Sequence, residues 1–418
     1  MNKEKYFKSQ QAIFEKDKNN KFYKNKEEIK SQDGVSVSEL QFKQQVTNEV
    51  QKFINQSFDN IVVLVGAGAS VTNNQLEQDS NGIATSGVTV KTIAKEVLKK
   101  LEGGRYSLSA GDVEVFKLDE IARDSHYSQE ILDEKTLDKN FNLEDFLSNL
   151  FAYEKFATDS DKEKINNTKN AILDIIIKAT SYDYDEKKFG HAKFLKAVSR
   201  LVKAENKLNI VTTNYDTLLE DAAESRKWTI FDGFSFSQTA QFDATMFDWN
   251  LIKDVPNVKT HENIYKKNVI NLLKIHGSLT WVRSESGENI IRQNKELIQR
   301  QHKIPIMVFP SSDKYAQSYQ EPYFELFSKF QELLKRPNTL LITAGFSFAD
   351  NHIAQMVVSA IQANDGLATL ITDYNIDSSN ENWKTLENLM AEFYSIAFLK
   401  ATMNGDLSLY LGGKIDDN

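Results

Sequence analysis

A histidine, an amide and a carboxylate in this chain each stand just after an apolar run, where they could perform catalysis. His276 follows the run VINLLKI at 269–275 and precedes a glycine and a serine. Asn214 and Asp216 follow LNIVT at 208–212, within the motif TTNYD. An imidazole beside a glycine that clears space suits general-base work, and an amide can hold a water or a hydroxyl group. These side chains predict a catalytic site.

Two segments of small residues also follow apolar runs. GAGAS at 66–70 comes after IVVLV at 61–65, and GFSF at 345–348 comes after TLLITA at 339–344. Small residues at such a point let backbone N–H groups approach a phosphate, assisted by a helix N-terminus. GAGAS departs from the fingerprint G-x-G-x-x-G, because Val71 stands where the third glycine belongs. No acidic residue ends a second strand about twenty positions later, so a hydride-transferring Rossmann enzyme is disfavoured.

The four apolar runs predict the strands of one open sheet. Predominantly apolar stretches of this kind are typical of parallel strands that are buried on both faces. Ligands bind outside the carboxyl ends of such strands, so the four motifs would border one crevice. Apolar runs at 304–309 and 368–374 predict two further strands, the second of which ends near Asp373. The sequence therefore predicts an α/β fold with a Rossmann-like parallel sheet.

Helices and less regular segments account for the rest of the chain. Apolar residues recur at helical spacing in 89–101, 322–335 and 352–362. The stretch of about 103–205 is also largely helical, and it is too long for a single crossover between two strands. It predicts an inserted helical module.

The chain divides into three parts by composition. Residues 1–50 are rich in Lys, Glu, Gln and Asn, and they predict an N-terminal arm that is partly helical or disordered. The arm is either solvated or used for docking to a partner or a second copy. Residues 51–400 form the catalytic domain with its helical insert, and residues 401–418 form a C-terminal tail.

Composition narrows the class of protein. The 418 residues include no cysteine, which excludes disulfides, a cysteine nucleophile and a thiolate zinc site, and which fits a reducing cytosol. The N-terminus has no apolar signal core and the chain has no apolar stretch of about 18 residues, so we expect a cytoplasmic protein without a membrane span. A net charge of −8 argues against a nucleic-acid footprint over the whole protein, although the lysine-rich arm could supply a local one.

Each motif also has an ordinary structural explanation. GAGAS could be a tight turn without a ligand, Asp216 could cap the helix that follows it, and GFSF could be a common turn with Asp350 as the helix cap. The remaining histidines fit structural or solvated positions, although His352 lies close to GFSF. They are His126, His191, His261, His302 and His352. No pair of them has convincing metal spacing, so no metal is predicted.

Taken in order, GAGAS, TTNYD, HGSLTW and GFSFAD resemble the motifs of sirtuin-like NAD-consuming domains. The chain is particularly similar to a divergent bacterial group used in antiphage defence, and within it to the subunit that works with a HerA-type ATPase and helicase. The resemblance covers roughly 55–400. Further stretches that resemble this group are NLEDFL in the insert, FDGFS at 231–235, FPSSDKY at 309–315 and ADNHI at 349–353.

The resemblance implies roles for the singled-out residues. Asn214 and His276 would form the catalytic pair, with Asp216 supporting the nicotinamide-ribose side. Gly345 and Ser347 would lie near the adenosine ribose, and Asp373 could hydrogen-bond an adenosine hydroxyl. The remaining residues expected to bind the dinucleotide are Gly66, Ala67, Gly68, Ala69, Ser70 and Thr213.

These roles imply an enzyme that hydrolyses NAD at the nicotinamide–ribose bond, with NAD as its substrate and without a metal. We expect a homo-oligomer that assembles with a HerA-type ATPase, with nucleic acid bound only through that partner or the lysine-rich arm. Protein-deacylating sirtuins carry a four-cysteine zinc ribbon, which this chain cannot form. The alternatives are another NAD-dependent transferase, cyclase or deacylase, or a scaffold that senses NAD without consuming it.

Overall fold

A computed structural model describes most of the chain. The described residues are 3–31, 33–72, 75–79, 83–109, 111–127, 136–138, 141, 143–255, 263–287, 289–301, 303–307, 321–377 and 380–413. The FPSSDKY stretch, His261 and His302 lie outside them.

The chain alternates between strands and helices over most of its length. The strands are β1 (Glu4–Ser9), β2 (Ile13–Lys16), β3 (Phe22–Lys24), β4 (Glu27–Glu28), β5 (Asn60–Val65), β6 (Arg105–Leu108), β7 (Gly111–Glu114), β8 (Leu208–Thr212), β9 (Thr229–Phe231), β10 (Ala240–Gln241), β11 (Ile252–Asp254), β12 (Asn263–Tyr265), β13 (Val269–Lys274), β14 (Trp281–Arg283), β15 (Ile290–Arg292), β16 (Thr339–Ala344), β17 (Leu367–Asp373) and β18 (Ile396–Lys400). The helices are α1 (Glu39–Ile54), α2 (Val90–Leu101), α3 (Leu118–Asp124), α4 (Leu143–Glu154), α5 (Asp159–Thr180), α6 (His191–Val198), α7 (Leu218–Ser225), α8 (Lys295–Arg300), α9 (Tyr323–Lys335), α10 (Asn351–Ala363), α11 (Glu381–Ala391) and α12 (Leu407–Tyr410).

A central sheet of eleven strands organises the molecule, in the order β4-β3-β2-β1-β18-β17-β16-β5-β8-β13-β9. From β18 to β9 every neighbouring pair is parallel, whereas β1 to β4 pair antiparallel with one another and with β18. The prediction of an α/β fold built on a Rossmann-like parallel sheet is confirmed.

The sheet is buried on both faces because successive apolar side chains of each strand enter different cores. In β5, Val63 and Val65 pack into one core, whereas Val62 and Leu64 pack into the other. Helices α1, α6, α7 and α12 cover the first face, and α9, α10 and α11 cover the second. This two-sided burial explains why the strand runs lack polar alternation.

The helical insert has a core of its own, separate from those of the sheet. Its apolar residues come from α2, α3, α4 and α5, with the hairpin of β6 and β7 packed beside them. The sequence placed the insert at about 103–205, but its core begins at Val88 and ends at Ala179. Helix α6 falls inside the predicted range yet packs under the sheet, because its buried residues face the strands.

The prediction that residues 1–50 form an N-terminal arm is wrong for most of that segment, because residues 4–28 belong to the central sheet. Strand β1 pairs with β18, and three more strands extend the sheet outward from it. Phe7, Phe14 and Phe22 are almost fully buried against α1, where the Phe22 and Phe42 rings stack at 4.4 Å. The aromatic side chains were scattered among charged ones in the sequence, so their shared apolar face was not recognised.

Six of the ten lysines in residues 1–50 pair with carboxylates, namely Lys5, Lys8, Lys16, Lys21, Lys24 and Lys43. Lys8 Nζ lies 2.7 Å from Glu387 Oε1, and Lys24 Nζ lies 3.0 Å from Glu49 Oε1. Such partly exposed pairs add little stability. They do balance much of the positive charge on which a local nucleic-acid footprint would depend.

Two further predictions need correction. Residues 401–412 are not a free tail, because α12 packs against α1 and α6 and buries Leu407 and Tyr410. The strand predicted at 304–309 is absent from its described part, where Met307 makes only an isolated bridge to Gly277. Pro305 has no N–H group to give to a ladder, which explains the difference. None of the described helices is both long enough and apolar enough to cross a bilayer.

Candidate functional site

The carboxyl ends of the parallel strands border a pocket of about 500 Å³. Its far side is closed by the helical insert. The residues singled out from the sequence that line it are Ala67, Gly68, Ser70, Thr213, Asn214, Asp216, His276, Gly345, Ser347 and Asp373. Gly66 and Ala69 are not among the described lining residues. The four motifs therefore border one pocket at the carboxyl ends of the strands, as the sequence predicts.

A larger cleft of about 1070 Å³ lies beside this pocket and shares Tyr182 with it. Charged side chains are common in its walls, including Glu220 and Glu224 on α7 and Lys295 on α8. Neither Asn214 nor His276 is among its described lining residues, and no residue of GAGAS (66–70) or GFSF (345–348) is among them either. We place the candidate site in the smaller pocket because the reactive side chains are there.

The two glycine turns pack directly on each other. Gly68 N donates to Gly345 O at 2.9 Å, and a Cβ on Gly66 would lie 2.7 Å from that same oxygen. Gly345 has a φ of +63°, and a Cβ there would lie 2.2 Å from Ala69 N. The small residues are thus needed for the contact between turns, and the Gly68 N–H is already occupied.

A chain of hydrogen bonds joins the first turn to the TTNYD loop. Asn214 Nδ2 donates to Gly66 O at 3.1 Å and to Ser70 Oγ at 3.0 Å. Ser70 Oγ in turn donates to Asp216 Oδ2 at 2.7 Å. Asn214 Oδ1 is buried and has no hydrogen-bond partner. The amide can therefore only accept from a ligand, so it would hold a water or a hydroxyl group through Oδ1.

Asp216 is held by several groups at once. Its Oδ1 accepts at 3.1 Å from the N–H group of Leu218, the first residue of α7, although Thr217 rather than Asp216 stands at the N-cap of that helix. Burial raises the pKa of the Asp216 carboxyl, while the Lys274 ammonium and the Ser70 hydroxyl oppose that rise. Lys274 is 1% exposed, donates to the Asp216 main-chain oxygen, and pairs with Glu220 at 2.9 Å. Lys274 thus connects β13 to the TTNYD loop and to Glu220 on α7.

His276 lies on the pocket wall with a carboxylate behind it. Its Nε2 lies 3.5 Å from Asp350 Oδ2, and both side chains are largely buried. The other oxygen of Asp350 accepts from His352 N and Ile353 N, so Asp350 caps α10 as expected and also faces the imidazole. A carboxylate in this place stabilises an imidazolium and orients the ring. The sequence suggested only the cap.

Asp373 ends β17 at the edge of the same pocket and is 8% exposed. Burial raises the pKa of its carboxyl to about 6, and hydrogen bonds from the N–H groups of Asn375 and Tyr374 act against that rise. A ligand hydroxyl that donated to this carboxylate would replace lost solvation.

The helical insert supplies an apolar wall. Val88, Ile93, Leu147 and Ile176 line the pocket from α2, α4, α5 and the segment before α2. Lys91, in the first turn of α2, is the sole lysine or arginine among the described lining residues. Polar groups therefore converge from the sheet, while the insert supplies apolar side chains.

The other described histidines lie away from this chemistry. His191 is buried with Nδ1 unpaired, and burial lowers its pKa to about 3, so it stays neutral. The His352 ring packs on Phe327 at 5.0 Å, and His126 lies in an exposed turn. Within the described part of the chain, no group of three His, Asp or Glu side chains could hold a metal ion.

Three polar residues of this region were missed or undervalued in the sequence. The sequence indicates Asp350 only as a helix cap, since nothing local in ADNHI marks its contact with His276. Lys274 gave only a weak signal, as one charge in an apolar run. Asn404 holds the back of the first glycine turn from the C-terminal segment, and nothing local in the sequence marks it.

Comparison with known proteins adds to this geometry. Residues 208–393 match the family model of a SIR2-like domain. This SIR2-like segment is less than half of the chain, and it contains TTNYD, HGS and GFSF but not GAGAS.

The chain was also compared with solved structures and with curated proteins. A solved structure, described as the structural basis for the mechanism and regulation of Sir2 enzymes, has 10% identity and a TM-score of 0.39, and the match covers 88% of this chain and 97% of that chain. No curated protein matches the sequence.

Proposed function

We propose that the protein is an NAD⁺ hydrolase that cleaves the bond between nicotinamide and ribose, releasing nicotinamide and ADP-ribose. The observation that carries the proposal is the convergence of four strand-end motifs on one pocket, with Asn214 and His276 both on its wall. The match of residues 208–393 to a SIR2-like domain supports an NAD-related function in general.

Cleavage of the nicotinamide–ribose bond does not require a strong acid catalyst. In NAD⁺ the nicotinamide is a pyridinium, so it leaves as a neutral molecule and the ribose becomes oxocarbenium-like. Catalysis then depends on positioning and on electrostatic stabilisation of that developing cation. A buried carboxylate such as Asp216 would favour a cation nearby.

Attack on the ribose requires a positioned nucleophile. Asn214 Oδ1, which has no other partner, would accept a hydrogen bond from the attacking water or from a ribose hydroxyl. His276 would take the proton, and Asp350 would stabilise the resulting imidazolium across 3.5 Å. The water oxygen bonds to the anomeric carbon as the nicotinamide–ribose bond breaks. General-base help of this kind is worth about 10²–10⁴-fold.

The apolar wall favours hydrolysis of a small ligand over reaction with a protein chain. The insert closes the side of the pocket opposite the strand ends, and the chain has no cysteine for a zinc ribbon. Acyl-lysine recognition therefore lacks an obvious platform. The rival NAD-dependent reactions are distinguished by their products.

We further propose that the enzyme depletes cellular NAD in antiphage defence and is gated by assembly. This part rests on the sequence resemblance to the subunit that works with a HerA-type ATPase. An enzyme that drains a central cofactor would be toxic if it were always active. A cytoplasmic homo-oligomer, switched on by its partner or by an infection signal, would avoid that toxicity.

The decisive experiment incubates the purified protein with NAD⁺, alone and with a HerA-type ATPase, and identifies the products by chromatography and mass spectrometry. Free ADP-ribose and nicotinamide in equal amounts support hydrolysis. Cyclic ADP-ribose, or product that requires an acyl-peptide, would move the assignment to a cyclase or a deacylase. Full recovery of NAD⁺ in both arms, with measurable binding, would favour a sensing scaffold. Full activity of the isolated monomer would refute gating.

A further inference from the structure

Asn404 lies in the C-terminal segment and contacts the outer side of the first glycine turn. Its Nδ2 donates to Ala69 O at 2.9 Å and to Val71 O at 2.9 Å. Its Oδ1 accepts from Gly190 N at 2.8 Å. Both amide hydrogens and the amide oxygen are therefore used, and the side chain has one orientation that satisfies all three contacts.

The two carbonyl groups that Asn404 binds belong to the residues on either side of Ser70. Ser70 is the link in the hydrogen-bond chain between Asn214 and Asp216. Asn404 thus holds the main chain at both neighbours of the residue that orients the Asn214 amide. A shift of the turn would pass directly to that amide.

The segment that carries Asn404 is itself firmly anchored. A Cβ on Gly190 would lie 2.2 Å from Met403 O, so this part of the chain passes directly over the start of α6. Gln51 Nε2 donates to Tyr410 O at 2.6 Å, which ties α12 to α1. The turn is therefore braced by the N-terminal and C-terminal regions, both outside the SIR2-like segment 208–393.

We propose that Asn404 is a positioning residue, which fixes the Gly66–Ser70 turn so that Asn214 presents its oxygen to the ribose. The proposal rests on the proposed NAD⁺ hydrolysis for its kinetic consequence. Its structural consequence, a turn that loosens when Asn404 is removed, does not depend on any activity.

The chain contains a close control for this residue. Asn364 makes the same three kinds of contact, with Nδ2 donating to Leu334 O at 2.8 Å and Arg336 O at 2.9 Å and Oδ1 accepting from Gly366 N at 3.0 Å. Both asparagines are partly buried. Asn364 lies near the start of β16, at the end of the sheet away from the pocket.

The test compares Asn404→Ala with Asn364→Ala in the full-length protein. Amide hydrogen exchange in peptides covering 66–72 should quicken in Asn404→Ala and stay at the wild-type rate in Asn364→Ala. The kcat for NAD⁺ cleavage should fall about tenfold to a hundredfold only in Asn404→Ala, with a much smaller change in KM. Both variants should lose similar thermal stability.

The outcomes separate this inference from the proposed function. Unchanged exchange in 66–72, or equal kinetic losses in the two variants, would overturn the positioning role. If the wild type does not cleave NAD⁺ but exchange in 66–72 is still faster in Asn404→Ala, Asn404 positions the turn and the proposed hydrolase activity is refuted. If Asn404→Ala does not fold, Asn404→Ser against Asn364→Ser gives the same comparison, because a hydroxyl group can donate to at most one of the two carbonyl oxygens.

Discussion

The two walls of the pocket are built by different kinds of contact. The strand-end wall is held by hydrogen bonds that cross from loop to loop, such as Gly68 N to Gly345 O and Ser70 Oγ to Asp216 Oδ2. The insert wall consists of apolar side chains whose support is a separate core of helices. Ile93 and Leu147 belong to both that core and the pocket surface.

This difference indicates a division of work between the walls. Directed hydrogen bonds place atoms to within a fraction of an ångström, which the reacting groups require. Apolar packing is undirected and sets the shape and dryness of the cavity. Changes in the first wall should therefore act mainly on kcat, and changes in the second mainly on KM.

The largest effect should come from the imidazole of the strand-end wall. His276→Ala should lower kcat for NAD⁺ cleavage by about 10²–10⁴-fold, since it removes the general base, and should leave the fold intact. Steady-state kinetics with a thermal melt measure both. His352→Ala is the matched control, because that histidine opens α10 nearby but does not line the pocket. Comparable turnover in the two variants would assign the base to another group.

The contact between the two glycine turns should give the next largest effect. Gly345→Ala puts a Cβ 2.2 Å from Ala69 N at a φ of +63°, so the turns must separate. Gly287 has a φ of +77° with open space around it, and Gly287→Ala isolates the cost of the backbone conformation. That cost is about 1–2 kcal/mol. We expect Gly345→Ala to lose more stability than this and to lose NAD⁺ cleavage as well. Equal urea midpoints would show that the turns do not need their close approach.

The insert wall should respond through substrate affinity. Leu147 and Ile165 are both fully buried in the insert core, but only Leu147 lines the pocket. Truncation of either residue to Ala should cost about 2–5 kcal/mol of stability. Only Leu147→Ala should raise KM, by about fivefold for roughly 1 kcal/mol of lost apolar contact. A fall in kcat with constant KM would contradict the division of work between the walls.

The sequence predicted the strand-end wall better than its surroundings, for a physical reason. Strands β5, β8, β13 and β16 are predominantly apolar runs, and the residues that follow them are fixed by their position along the chain. The strands of residues 4–28 depend on pairing with β18 almost four hundred positions away, which local pattern does not reveal. Asn404 is a polar residue in a polar stretch, and its partners are Ala69 and Val71. Long-range contacts of single side chains leave no periodic signal.

The prediction with the smallest effect on NAD⁺ turnover concerns the stability cost of a carboxylate in the strand-end wall. Burial raises the pKa of Asp373 to about 6, from near 4 in the unfolded chain. Between these values the folded protein holds more protons than the unfolded chain, so its stability falls as the pH rises from 4 to 6. The loss is on the order of 2–3 kcal/mol.

Asp373→Asn removes this titration while keeping a hydrogen-bonding group of the same size. The variant should match the wild type near pH 4 and exceed its stability at pH 7, with a urea midpoint that varies less over that interval. A difference between the two proteins that stays constant from pH 4 to 7 would show that Asp373 does not titrate in this range. NAD⁺ turnover should change little, because an amide oxygen can still accept from a ribose hydroxyl. If this holds, a carboxylate of the strand-end wall lowers the stability of the folded protein at pH 7. The apolar side chains of the insert wall, in contrast, stabilise the fold by their packing.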